Sequence, residues 1–184
     1  MSKCPICNSK KGKRSCLIVD TPICSLCCGE TRVPELCSEC QYYQKPKRKY
    51  NEVPAYSTSE MDGNRELESY GYSIEGALCA YDIDKENILK DSDAIKIIEL
   101  LIDIHHFNDQ KIETDNQLIL DGFNYVNAAI EKDLQNVDSE VIVKTLGVIR
   151  FVAKRRTNTG KEYMNIIHQF VGTRVDTGIR IIGR

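Results

Sequence analysis

Eight of the nine cysteines in this 184-residue chain lie between positions 4 and 40, and their spacing is the first chemical signal it offers. Cys4 and Cys7, Cys24 and Cys27, and Cys37 and Cys40 are each separated by two residues, the spacing with which a tight backbone turn clamps a tetrahedral zinc ion between two thiolates. Backbone amides in such a turn point at the sulfurs and soften their charge. A residue tolerant of left-handed backbone angles helps the chain leave the turn, and Asn8 and Gly29 stand where one is wanted. Cys16 and Cys28 bring the thiolates to eight, enough for two closed sites of four ligands each. An iron–sulfur cluster would use only four of them. With every ligand supplied by protein, no position is left for a catalytic water, so structural zinc is expected.

The ligand order Cys4-x2-Cys7-x8-Cys16-x7-Cys24-x2-Cys27-x9-Cys37-x2-Cys40 resembles the B-box zinc finger, a relative of the RING finger. That resemblance implies a cross-brace, in which alternating ligand pairs share a metal. One zinc would take Cys4, Cys7, Cys24 and Cys27; the other would take Cys16, Cys37, Cys40 and one more ligand. B-box spacing points to a residue near Asp20 for that last place. Cys28 competes with it and is preferred on ligand softness. Cys37 and Cys40 replace the histidines usual at the last two B-box positions. Taken whole, the Ile23-Cys24-Ser25-Leu26-Cys27-Cys28-Gly29 core followed by a helical remainder is similar to a group of uncharacterised bacterial zinc-finger proteins, a resemblance that brings no activity with it.

Apolar residues make up 41% and charged residues 28%, a balance suited to a packed domain rather than a disordered one. No stretch approaches a membrane span. The first 30 residues carry Lys3, Lys10, Lys11, Lys13 and Arg14 among cysteines, with no apolar signal-peptide core. A cytoplasmic protein of a reducing compartment is therefore expected, in which clustered cysteines bind metal rather than form disulfides.

The net charge of −2 hides a segregation: +5 over residues 1–56, −13 over 57–138 and +6 over 139–184. Two zinc ions on eight thiolates would bring the first of these down to +1. Residues 45–72 read as linker: 45–56 carry two prolines without apolar periodicity, and 57–72 are rich in Ser, Glu, Gly and Asn. The expected organisation is a zinc finger at 1–44, a linker at 45–72 and a mainly α-helical domain at 73–184.

Within that domain, Asp91, Ser92 and Asp93 offer caps before Ala94, Ile97, Ile98, Leu101 and Ile104 at helical spacing. Asp115 opens a second helix with Ile119, Phe123, Val126, Ile130 and Leu134. Asp138 or Ser139 opens a third with Ile142, Leu146, Ile149 and Ala153. A fourth follows Gly160 with Tyr163, Ile166, Ile167 and Phe170. These stripes predict a small bundle without a long coiled coil. The β-branched runs at 141–143 and 179–182 also suit strands.

Catalytic signals are sparse. His105 and His106 are neighbours about 100° apart on a helix and cannot chelate together, and His168 has no motif around it. The run from Lys154 to Glu162 ends in Gly160-Lys161 like a phosphate loop. It lacks the upstream glycine, at Arg155, and puts Glu162 where a hydroxyl must reach magnesium. Asp82, Asp84 and Glu86 lack a calcium-loop glycine.

Lys154, Arg155, Arg156, Lys161, Arg174, Arg180 and Arg184 form a basic set. It suits either nucleic-acid phosphates or the chain's own acidic segment, within a monomer or between copies, and Tyr163 and Phe170 are its nearest aromatics. The expected function is a non-catalytic zinc-binding adaptor that contacts other proteins. A nucleic-acid-binding regulator is the alternative, and a RING-like ubiquitin-transfer adaptor rests on fold analogy alone.

Overall fold

A computed structural model describes residues 2–43 and 48–182. The chain divides into two compact units, Met1–Arg48 and Lys49–Arg184. Lys45, Pro46 and Lys47 of the expected linker and Arg184 of the basic set lie outside the described residues.

The first unit is built from turns. Strands β1 (Arg14–Cys16) and β2 (Thr21–Ile23) form an antiparallel hairpin with Arg14 opposite Ile23 and Cys16 opposite Thr21. Asp20 turns the chain back with φ 48°, a left-handed angle that Asp tolerates through local hydrogen bonding. Helix α1 (Ser25–Glu30) follows directly, and α2 (Pro34–Cys37) starts on a proline, whose missing N–H costs a helix nothing at that end. The chain before the hairpin passes so close to it that a Cβ on Gly12 would sit 2.2 Å from the Pro22 carbonyl oxygen, so only glycine fits. Buried hydrophobic positions here are Cys4, Cys16, Ile23, Cys24 and Cys27, with Ile18 and Cys28 packed against them. One isoleucine and a set of sulfurs cannot hold a unit this small by apolar burial.

The second unit is mainly helical. A 3-10 turn (Tyr50–Glu52) and a short helix α3 (Thr58–Met61) lead into α4 (Arg65–Asp84), α5 (Asp91–His105), α6 (Gln117–Asp133), α7 (Ser139–Arg156) and α8 (Glu162–Phe170), and a hairpin of β3 (Thr173–Asp176) and β4 (Ile179–Ile181) ends it. The four stripes read from the sequence correspond to α5 through α8. Asn116 rather than Asp115 caps α6, accepting from the Ile119 amide at 3.4 Å, and Asp138 caps α7 through the Glu140 amide at 2.7 Å. The run 141–143 is helical, whereas 179–181 is a strand.

The largest difference from expectation is α4. It begins inside the segment read as linker, and Val53, upstream of it, is buried in the same core. The first two turns of α4 mix exposed polar residues (Arg65, Glu66 and Ser69) with partly buried ones (Leu67, Tyr70 and Tyr72). Its second half packs against α6, α7, α8 and β3 and is buried on several sides through Ile74, Gly76, Ala77, Leu78, Cys79 and Tyr81. A helix covered all round carries no one-sided stripe, so periodicity does not announce it. Where α4, α5 and α6 meet, a Cβ on Gly122 would come within 2.4 Å of Ile97 Cδ1 and 2.8 Å of Tyr81 Cε1.

Buried polar groups tie the helices together. The Asp91 carboxylate of α5 accepts from the Tyr163 and Met164 amides at 3.2 and 3.0 Å and so caps α8 from a neighbouring element. Arg174 on β3 grips Asp133 at the end of α6 with two hydrogen bonds of 2.6 and 2.7 Å. Among the described residues, no helix is long and apolar enough to cross a membrane.

Candidate metal centre

Of the three Cys-x2-Cys knuckles of the first unit, the first two converge. The Sγ atoms of Cys4, Cys7, Cys24 and Cys27 all lie within 4.8 Å of one another, and those of Cys7 and Cys24 are 3.9 Å apart. Four sulfurs around a tetrahedral ion at zinc–sulfur bond length are about 3.8 Å apart, so the cage has the size a metal ion needs. Cys4, Cys24 and Cys27 are buried and Cys7 is exposed, and none of the nine cysteines is in a disulfide.

Backbone bonds shape the cage. In the first knuckle the Asn8 amide donates to the Cys4 carbonyl at 2.8 Å and the Cys4 amide to the Lys10 carbonyl at 2.7 Å. Asn8 leaves the turn at φ 52°, the left-handed angle expected there. Gly29 does not take this role, because the second knuckle runs straight into α1. There the Cys28 amide donates to the Cys24 carbonyl at 2.9 Å, so the chain needs no left-handed exit.

The thiols respond to this setting unequally. The Ser9 hydroxyl, helped by the Lys10 and Ser9 amides, lowers Cys7 to about 5. Burial pushes Cys4 up, but the amides of Cys7, Cys24 and Ile6 outweigh it and the net direction is down. Burial and the neighbouring sulfurs of Cys24, Cys7 and Cys4 push Cys27 well above an ordinary thiol. Three sulfurs crowd a fourth that resists losing its proton, a conflict that a divalent cation at their centre relieves. The four residues can therefore hold a metal ion.

Cys16, Cys28, Cys37 and Cys40 are not brought together in this way. Among the described residues, Cys4, Cys7, Cys24 and Cys27 are the metal-type group whose donor atoms converge. Cys16 is buried in β1, Cys37 closes α2, and Cys40 sits in the next turn, where its amide donates to the Cys37 carbonyl at 2.9 Å. Cys28 Sγ accepts from Arg14 Nη1 at 3.7 Å, and the same guanidinium lies 5.4 Å from the Tyr42 ring centroid. Arg14 thus stands between Cys28 and the segment that follows Cys40, a role its place in a basic run did not disclose. Asp20 is exposed at the hairpin turn.

In the helical unit, Glu162 explains why the Gly160-Lys161 loop does not resemble a phosphate site in action. Its own carboxylate accepts from the amides of Asn158, Thr159, Gly160 and Lys161 at 3.1, 2.8, 3.0 and 3.3 Å, and also from the Thr159 hydroxyl. These bonds, the Thr159 hydroxyl foremost, hold the Glu162 carboxyl well below the usual carboxylate range. The loop's donors are filled by the side chain that replaces the hydroxyl residue of a true phosphate loop.

His168 Nε2 lies 2.8 Å from buried Asp82, whose other oxygen accepts from the Leu89 amide at 2.8 Å, and His105 Nε2 lies 3.2 Å from Asn127. His106 packs edge-on against Phe107.

The basic set separates into two groups. Arg174 pairs with Asp133, Lys154 lies 3.7 Å from Glu99, and Lys161 donates to the Asn87 carbonyl. Arg180 donates to the Val171 carbonyl and lies over Tyr72. Among the described residues, Arg155 and Arg156 pair with no carboxylate. Tyr163 is fully buried and so is unavailable as an aromatic companion, whereas Phe151 is exposed beside Arg155. Its helical spacing from Arg155 was the signal available in the sequence.

No protein-family model matches this chain, and no curated protein and no solved structure matches it.

Proposed function

We propose that residues 2–43 form a zinc-built, non-catalytic module that presents a rigid surface to a protein partner. What carries this reading is the closed cage of Cys4, Cys7, Cys24 and Cys27 at the heart of a unit with almost no apolar core. Four thiolates leave no open coordination position, so the ion stabilises structure rather than activating water. Zinc suits an all-sulfur tetrahedral set and supplies the folding energy that burial cannot.

With metal at the centre, apolar side chains are released to the surface. Leu17 on the hairpin turn, Leu26 on the second knuckle and Leu36 on α2 each expose more than half of their surface. Exposed large apolar groups on so small a unit suit contact with another protein. A second zinc, held cross-brace fashion by Cys16, Cys37, Cys40 and either Cys28 or Asp20, completes the proposal. Cys28 would then exchange its contact with the Arg14 guanidinium for the metal, and softness favours it over the carboxylate.

Native mass spectrometry with elemental analysis tests the metal. Two zinc ions per chain are expected, falling to one in either Cys28→Ala or Asp20→Ala but not both. Iron with sulfide, or two zinc ions retained in both variants, would overturn the assignment. The docking surface is tested by capture from lysate with Leu17→Ser, Leu26→Ser and Leu36→Ser combined. Loss of the same captured protein at unchanged zinc content supports it, and an unchanged capture set refutes it.

A further inference from the structure

A groove on the helical unit has the chemistry of a different ligand. It is a hollow of about 400 Å³ between the segment 50–55 and the C-terminal half of α7. The two walls are fixed against each other: the Pro54 carbonyl lies where a Cβ on Gly147 would come within 2.3 Å, so α7 needs glycine there to receive the segment. At one end Arg150 is buried and held rigidly. It donates to Glu99 at 2.9 Å and to Asn51 at 3.1 Å, with its guanidinium 4.9 Å from the Tyr50 ring centroid.

The next residue of α7, Phe151, is 57% exposed, and the guanidinium of Arg155, one turn further along, lies 5.4 Å from its ring centroid. Lys154 and Arg155 line the same hollow, and Arg156 follows at the helix end. Glu99 serves both Arg150 and Lys154, so the four cations of this helix end exceed the carboxylates paired with them by three. A helix C-terminus favours cations, but the macrodipole is equivalent to only about half a charge, and it does not account for an aromatic ring left in water beside them.

From this arrangement we infer that the groove binds single-stranded nucleic acid, with a base stacked on Phe151 and phosphates on Lys154, Arg155 and Arg156. An exposed ring with an unpaired guanidinium beside it and further cations along the same helix end is the element that single-strand binders use, because every base offers a π face and the backbone offers regularly spaced charge. A duplex hides its bases in the stack and cannot use the ring. The inference stands on residues of the helical unit and is independent of the metal module's role.

The test is fluorescence anisotropy of zinc-loaded full-length protein with a labelled 12-nucleotide mixed-sequence single strand, RNA and DNA in turn, at 50 and 200 mM salt. Three neutralised phosphates give a slope of about −2 against the logarithm of salt, so affinity should fall about 20-fold between the two conditions. Phe151→Ala should weaken binding about tenfold at either salt, because stacking is little screened. Arg155→Glu with Arg156→Glu should abolish most of the salt dependence. Both sites are exposed, and circular dichroism verifies the fold.

No binding at 50 mM salt overturns the inference. So does binding that survives Phe151→Ala unchanged, which would locate the contact in another basic segment. Equal affinity for a duplex of the same length overturns it as well, since that result belongs to a backbone-only surface.

Discussion

Glu75 offers a quantitative test of how the helical unit is assembled. Its carboxyl lies half-buried on α4 and accepts from the Tyr163 hydroxyl at 2.9 Å. Burial pushes it from 4.5 up to about 7, against the opposing effects of that hydrogen bond and of the Arg180 charge. Between those two values the folded chain keeps a proton that the unfolded chain has released. Fewer protons are bound in the unfolded state, so stability falls as pH rises through this window and levels off above about 7.

Integrated between pH 5 and pH 8, the loss is on the order of 2–3 kcal/mol. Glu75→Gln keeps an oxygen for Tyr163 and cannot ionise, so the variant should escape the loss. The assay is urea unfolding followed by far-ultraviolet circular dichroism at pH 5, 6, 7 and 8. With a urea dependence of about 2 kcal/mol per molar, the native midpoint should drop by about 1 M across the series relative to the Gln variant. Every other group is common to the two proteins and cancels in the comparison. Parallel midpoint profiles for the two proteins would refute the reasoning, because they would mean that Glu75 ionises without cost.

Further outcomes follow from the packing and the metal cage. Asp133→Ala leaves the largely covered Arg174 without its carboxylate and should cost up to about 3–5 kcal/mol in chemical denaturation, whereas replacing the pair together, Asp133→Leu with Arg174→Met, should cost less. Arg174 holds the Asp133 carboxyl below its usual range, so the pair's contribution is present above about pH 4 and is lost as pH falls through the lowered value, measurable as an acid-unfolding shift in the double variant. Gly122→Ala drives a methyl into Ile97 and Tyr81 and should destabilise the helical unit by about 1–3 kcal/mol, read as a lowered thermal midpoint. A strong zinc chelator should open residues 2–43 to thiol reagents while the far-ultraviolet signal of the helical unit persists, and thiol accessibility unaffected by the chelator would count against a metal-built module.

Much of the architecture was legible because it is local. A pair of cysteines two residues apart closes its own turn, and Asn8 adopts the left-handed angle that this turn requires whatever surrounds it. The α5 through α8 stripes could be read from their one-sided apolar faces, and Asp138 marked its helix start by a bond to its own backbone neighbour. By contrast, α4 was hidden because its second half is buried on several sides and its first half mixes exposed polar residues with partly buried aromatics. Residues 50–53 looked like linker until Val53 was seen in the core, since a single valine gives no period.

The residue types alone determined that this chain carries closely paired cysteines and a helical body. Their chemistry depends on side chains three or four positions apart, within reach of one turn of backbone. Tertiary structure decided which sulfurs meet: Cys4 and Cys7 with Cys24 and Cys27, while Cys28 takes Arg14. It also decided that Glu162 fills its own loop, that Asp91 caps a helix more than 70 residues away, and that Phe151 stays in water beside Arg155. Spacing along the chain sets what a turn can close, but only packing brings distant donors to one place, and no local pattern records which of several chemically equal partners arrives there first.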